Sequence, residues 1–121
     1  MHKDNNLIVV VDDDQGILES FEAIFGDEHP VLLVDNGPAA KKVLREQEPR
    51  LMFLDLKMPG MSGFDVLEWM QRNGVRTTVV VITALPQDDT EELARSYGVN
   101  GYIRKPFDLE DVESLAVQSL H

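Results

Sequence analysis

The sequence contains no cysteine. A disulfide scaffold, a thiolate zinc site and a cysteine nucleophile are therefore excluded. Histidine is scarce: His2 and His121 stand at the ends, and His29 precedes Pro30 in a loop-like stretch. A histidine-built metal site or a Ser-His-Asp relay is not expected. Basic residues are few, eleven Lys plus Arg against twenty-two Asp plus Glu, leaving a formal charge of −11 at pH 7. Nucleic acid and anionic membrane surfaces both require a Lys/Arg patch, and no basic run supplies one. No apolar run reaches membrane-spanning length, and the opening Met-His-Lys-Asp-Asn-Asn holds no hydrophobic signal core. A cytoplasmic protein that binds neither nucleic acid nor membrane is the expectation.

What is present is a regular alternation. The 121 residues suit a single domain over 1–121, and a 43% hydrophobic content is enough to build its core. Leu7 to Val11 is continuously apolar and β-branched and runs into Asp12-Asp13-Asp14. Such a run suggests a strand buried on both faces, as in a parallel sheet. Gln15 to Phe25 follows as a helix with Ile17, Phe21, Ile24 and Phe25 on one face and Gly26 as its stop. Further strands are read at 31–34, 51–54, 78–82 and 101–104, and further helices at 38–47, from Ser62 to about Asn73, at about 87–97 and after Asp108. Ser62 with Asp65 three residues on approximates a capping box. The inward faces are read as Ala40, Val43 and Leu44; Val66, Leu67 and Met70; Leu93, Ala94 and Tyr97; and Leu109, Val112, Leu115 and Ala116.

Five βα units without a linker or repeat predict an α/β fold, a doubly wound (βα)5 three-layer sandwich. Its parallel sheet is expected in the order 2-1-3-4-5. Ligands in such sheets bind outside the carboxyl ends of the strands. Strand 1 ends in Asp12, Asp13 and Asp14, strand 3 in Asp55 and strand 4 in Thr83-Ala84, and strand 5 runs into Lys105-Pro106. Asp14 alone reads as a helix cap, Thr83 alone as a β-former and Lys105-Pro106 alone as a turn. Together they put several carboxylates, a hydroxyl and an ammonium in one pocket. Crowded carboxylates repel one another unless a cation or protons offset the charge. Mg²⁺, a hard cation that keeps waters and recruits phosphate, suits them. Asp55, alone on the central strand, is the natural nucleophile, forming an acyl phosphate. Lys105 could neutralise charge there, and Thr83 and the Ala84 amide could donate hydrogen bonds.

The chain resembles a response-regulator receiver domain of two-component signalling. The resemblance rests on the apolar run into Asp12-Asp13, on Phe-Leu-Asp55-Leu-Lys-Met-Pro-Gly-Met-Ser-Gly, on Ile-Thr83-Ala84 and on Gly-Tyr102-Ile-Arg-Lys105-Pro106-Phe. It implies a phosphorelay module rather than an enzyme, with Asp55 accepting phosphoryl from a phosphohistidine of a sensor histidine kinase or phosphotransfer protein. Asp12 and Asp13 would hold Mg²⁺, Asp13 directly, with Asp55 and the Lys57 carbonyl completing the protein ligands. Lys105 would contact the phosphoryl group, and the Lys105–Pro106 bond is expected to be cis. Thr83 would move toward the phosphoryl group and Tyr102 would turn inward behind it. The surface of the fourth helix, fifth strand and fifth helix would then control an output domain or effector, and it is a candidate homodimer face.

Some residues depart from the family's habits. Arg50 follows Pro49 where an Asp is frequent, and Leu85-Pro86 replaces a small or polar loop start. Lys57 and Leu85, two residues beyond Asp55 and Thr83, offer no carboxylate or amide to orient water, so a persistent acyl phosphate is expected. Three other readings compete. A haloacid-dehalogenase-type phosphohydrolase would need a second Asp where Lys57 stands. Flavin binding would need a Ser/Thr/Gly-rich cradle where Asp12-Asp13-Asp14 stands. A phosphorylation-independent scaffold would have no use for the five polar residues at the strand ends. Most remaining acid, including Glu91, Glu92, Glu110, Asp111 and Glu113, reads as solvated helix surface.

Overall fold

The computed structural model describes residues 6–85 and 88–120. His2, His121, Pro86 and residue 87, read above as the start of the fourth helix, lie outside them. Five strands, β1 (Ile8–Val11), β2 (Val31–Val34), β3 (Leu51–Asp55), β4 (Thr78–Thr83) and β5 (Gly101–Arg104), alternate with five helices. These are α1 (Gln15–Phe25), α2 (Gly37–Gln47), α3 (Gly63–Arg72), α4 (Asp88–Ser96) and α5 (Leu109–Leu120). All pairings are parallel and the order is β2-β1-β3-β4-β5, as the alternation predicts.

Alternation along each strand divides the core into two layers. Val9, Val11, Met52, Leu54, Val79 and Val81 face α2, α3 and α4, where Ala40, Leu44, Val66, Leu67, Met70 and Ala94 meet them. Ile8, Val10, Leu51, Phe53, Val80 and Ile82 face α1 and α5, against Leu18, Phe21, Phe25, Val112 and Ala116. The central strands are therefore apolar on both sides, which is why their sequences read as continuous hydrophobic runs. Each large side chain so enclosed contributes roughly 1.5–3 kcal/mol. Phe21 is the aromatic hub, edge-on to Phe53 at 4.8 Å and to Phe107 at 5.7 Å.

The helix ends follow their sequence signals. Asp14 caps α1, its Oδ1 accepting from the Gly16 amide at 2.8 Å. Asn36 caps α2 through the Ala39 amide. Ser62 and Asp65 form a reciprocal capping box at α3, with Ser62 N donating to Asp65 Oδ2 at 2.9 Å. Such caps are worth about 1 kcal/mol each. Arg50 donates from Nη2 to the Leu120 carbonyl at 2.6 Å, a partner for one of the carbonyls that the end of α5 leaves unpaired.

Four details depart from the periodicity reading. Leu18 forms the buried stripe of α1 with Phe21 and Phe25, three and seven residues on, while Ile17 and Ile24 flank it half-buried. Leu93 is 48% exposed, because Ala94, one position or 100° further round, is the residue that α4 turns to the sheet. Leu109 shares a face with Val112 and Ala116, but as the first residue of α5 it is covered from one side only and remains 50% exposed. Glu91 is half-buried rather than solvated and pairs with Arg95 at 2.9 Å.

Candidate functional site

Because the strands are parallel, their carboxyl ends share one edge of the sheet. Asp12 and Asp13 follow β1, Asp55 closes β3, Thr83 closes β4 and Lys105 follows β5. Asp12 and Thr83 are fully buried and Asp55 is 2% exposed, whereas Asp13 and Ala84 face solvent. One carboxylate oxygen from each of Asp12, Asp13 and Asp55 lies within 4.8 Å of the others. A cavity of about 450 Å³ opens above them, walled by Asp13, Asp14, Asp55, Lys57, Met58, Pro59, Ala84 and Lys105.

Lys105 lies between the two buried carboxylates. Its Nζ is 2.8 Å from Asp12 Oδ2 and 3.5 Å from Asp55 Oδ2. Burial works against its charge, but the Asp12 and Asp55 carboxylates outweigh burial and raise its pKa. The Lys105–Pro106 peptide is cis. The backbone on either side is held by the Lys105 amide bonding to the Thr83 carbonyl at 2.8 Å and by Phe107 packing on Phe21.

Asp55 carries the unbalanced charge. Its pKa is raised from 3.8 to about 6, first by burial and then by Asp12, against the opposing pull of Lys105 and the Lys57 amide. That amide donates to Asp55 Oδ1 at 3.2 Å. Asp12 is already engaged, with Oδ1 accepting from the Asp14 amide at 2.9 Å and Oδ2 facing Lys105. Asp55 is engaged in a similar way, with Oδ1 accepting from the Lys57 amide and Oδ2 facing Lys105 at 3.5 Å, while the buried Asp12 Oδ2 makes an ion pair with Lys105 but no aligned hydrogen bond among the described residues. Three carboxylates against one buried ammonium leave net negative charge in an all-oxygen site. Those donors fit a hard divalent cation such as Mg²⁺.

Two expected participants stand apart in this conformation. The Thr83 hydroxyl is buried beneath the cavity and accepts from the Leu85 amide at 3.0 Å. Tyr102 is half-buried against the α2–α3–α4 layer and borders a separate cleft with Arg104, Pro106 and Phe107. Its hydroxyl is sealed from solvent without a hydrogen-bond partner among the described residues. Burial, and then the nearby Glu91 charge, raise its pKa against the pull of Arg104. Asp14, named at the end of strand 1 but read as a cap, is also a cavity wall, and Met58 and Pro59 are walls that the strand ends do not point to. Asp14 was legible as a cap, and the other two lie in a loop whose course the sequence pattern does not define.

A model of the response regulator receiver domain matches residues 8–116. The chain belongs to the response regulator receiver domain family. This receiver domain is 29% identical over 109 residues to sporulation initiation phosphotransferase F of Bacillus subtilis, covering 89% of this chain and 88% of that protein. It is 33% identical over 101 residues to the DNA-binding response regulator MtrA of Mycolicibacterium paratuberculosis, covering 83% of this chain and 44% of that protein. Against regulatory protein AtoC of Escherichia coli, at 28% identity, it spans 25% of the relative. The receiver domain thus spans nearly all of one relative and less than half of the other two. In solved structures it superposes on the signal receiver domain of a putative Luxo repressor protein from Vibrio parahaemolyticus with a TM-score of 0.91. That pair shares 26% identity and covers 96% of this chain and 90% of the other. A CheY-like receiver domain protein from Methanospirillum hungatei, 21% identical with a TM-score of 0.83 over 96% of this chain and 97% of that one, shares the fold. Among the described residues of this receiver domain, no helix is long and apolar enough to cross a membrane.

Proposed function

We propose that this receiver domain accepts a phosphoryl group on Asp55 and relays a signal by the resulting change of its surface. The observation that carries the reading is the buried Asp55 carboxylate, raised to about 6, beside two further carboxylates and Lys105 at the mouth of an open cavity. A carboxylate of raised pKa is a better nucleophile than an ordinary one and still ionised at neutral pH. One Asp55 oxygen attacks the phosphorus of a phosphohistidine, a new oxygen–phosphorus bond forms, and the nitrogen–phosphorus bond breaks with its electron pair returning to imidazole. Asp13, Asp55 and the Lys57 carbonyl would hold Mg²⁺, with Asp12 behind them; the ion supplies charge neutralisation for the phosphoryl oxygens. Lys105, already placed 3.5 Å from Asp55, contributes the second positive charge. The exposed Ala84 leaves room for the phosphoryl oxygens, and its amide can donate to them.

Output follows from a shift between two conformations. The Thr83 hydroxyl exchanges the Leu85 amide for a phosphoryl oxygen, and Tyr102 repacks with it. The surface formed by α4, β5 and α5 then changes for an output domain, an effector or a second copy. The phosphotransferase relative supports the relay role, and the DNA-binding regulator supports attachment to an output domain in a longer chain. The domain is a signalling component without turnover of its own beyond loss of its phosphoryl group.

The test is incubation with a small acyl-phosphate donor, with Mg²⁺ and with EDTA. A Mg²⁺-dependent gain of one phosphoryl mass on the wild type, absent from Asp55→Ala, is expected. No adduct on the wild type would favour a phosphorylation-independent scaffold, and steady turnover of phosphate esters would favour a hydrolase.

A further inference from the structure

We propose that Gly63, the first residue of α3, is a positioning residue for the acceptor site, because its missing side chain lets α3 seat on the backbone of Asp55 and Leu56. The geometry is independent of the phosphoryl-acceptor reading, but its catalytic consequence rests on that reading. A β carbon on Gly63 would press into the Asp55 carbonyl oxygen and stand 2.7 Å from Leu56 Cα. Carbon atoms settle at about 3.5–4.0 Å, so the strand end or the helix start would have to give by about 0.8 Å.

Neither side is free to move. β3 is buried throughout and paired with both β1 and β4. The start of α3 is locked by the Ser62–Asp65 capping box, and the Gly63 amide donates to the Leu56 carbonyl at 3.0 Å. Gly26 would also meet main chain, the Glu22 carbonyl oxygen at 2.6 Å, but it follows α1 rather than the acceptor strand. The remaining glycines differ. Gly60, Gly74 and Gly98 have positive φ with open space around them, so they serve turns. Gly37 would meet the flexible side chain of Met61. Gly63 meets main chain, which cannot swing aside, and its backbone is not in the left-handed region. Space, not conformational freedom, requires glycine there.

The displaced segment would be Asp55-Leu56-Lys57. It carries the acceptor carboxylate, the Lys57 amide bonded to it at 3.2 Å and the Lys57 carbonyl assigned to the metal. Elsewhere in a helix, Gly→Ala at a compatible position raises stability. At Gly63 the same change should disturb the site instead.

The experiment compares Gly63→Ala and Gly63→Ser with Gly98→Ala, which strains a turn at the far end of α4. Three quantities are read: Mg²⁺ affinity by calorimetry, the Lys57 amide resonance in metal-free protein, and the rate of modification by an acyl-phosphate donor. A misplacement near 1 Å can cost as much as about a hundredfold, so both Gly63 variants should lose about tenfold to a hundredfold in rate and bind Mg²⁺ more weakly. They should do so alike, since the first carbon makes the clash, and their Lys57 amide should move. Gly98→Ala should leave all three unchanged. Wild-type affinity with an unmoved Lys57 amide in Gly63→Ala would overturn the proposal. If Gly63→Ala does not unfold cooperatively, Asp65→Ala decides, since it frees the start of α3 without adding bulk. Weakened Mg²⁺ binding there supports the proposal and unchanged binding overturns it. If the wild type takes no phosphoryl group, the acceptor reading fails, while the amide shift and Mg²⁺ affinity still decide the role of Gly63.

Discussion

Replacing Asp55 with Asn should stabilise the metal-free protein. The folded state holds the Asp55 proton up to about pH 6, whereas an unperturbed carboxyl releases it near 3.8. Below both values the carboxyl is protonated in either state and costs nothing. Between them the unfolded chain ionises first, so folding stability falls as pH rises, and above about 6 the whole penalty is present. At about 1.4 kcal/mol for each pH unit between the two values, the penalty is about 3 kcal/mol at neutral pH. Asn removes the charge with little change of shape. It keeps an oxygen for the Lys57 amide and leaves Lys105 its 2.8 Å partner, Asp12. Some attraction to Lys105 is lost, so a net gain of about 1–3 kcal/mol is expected. Urea unfolding in EDTA measures it, at neutral pH and again at about pH 4, where the gain should largely vanish. Mg²⁺ should narrow or reverse the difference, because an ion bound only by the folded state stabilises the wild type. An Asp55→Asn protein no more stable than wild type in EDTA at neutral pH would refute the account of this carboxylate.

Removing Lys105 has the opposite sign: Lys105→Met should cost about 2–4 kcal/mol, since it strands two buried carboxylates, and should push the Asp55 pKa above 6, read by carboxyl NMR titration. An unchanged Asp55 titration would show that Lys105 is not its counter-charge. Tyr102→Phe deletes a buried hydroxyl that has no partner among the described residues and should stabilise the resting fold by about 1 kcal/mol in urea unfolding, whereas a loss of stability would reveal a hidden partner. The acyl phosphate should persist, because the Lys57 ammonium can donate to water but not accept from it and Leu85 is apolar. A lifetime of seconds, lengthened by Lys57→Ala or Leu85→Ala, would contradict this.

The strands and their order were legible because burial on both faces leaves one mark, the unbroken run, at β1, β3 and β4 alike. The gathering of Asp12, Asp13, Asp55, Thr83 and Lys105 at one edge was legible because parallel strands bring their last residues together there. Contacts made through space left no such mark. The 70-residue separation of Arg50 from Leu120 is invisible to any local pattern. Leu93 and Ala94 differ by one position, and only the seating of a nine-residue helix decides which is buried. Thr83 could be assigned to the site, but not the direction of its hydroxyl, which the Leu85 amide holds. Nothing in the sequence pattern sets Gly63 apart from the helix start after Ser62, since the need for an absent β carbon shows only once α3 meets β3.

The central claim is that Asp55 itself takes the phosphoryl group. Borohydride reduction of the phosphorylated protein followed by peptide mapping tests it most directly, since an acyl phosphate is reduced to an alcohol and a free carboxylate is not. The account predicts homoserine at position 55 in phosphorylated wild type, dependent on Mg²⁺ during phosphorylation. Reduction at another carboxylate, or phosphoryl retained on a hydroxyl or imidazole with residue 55 intact, would contradict it.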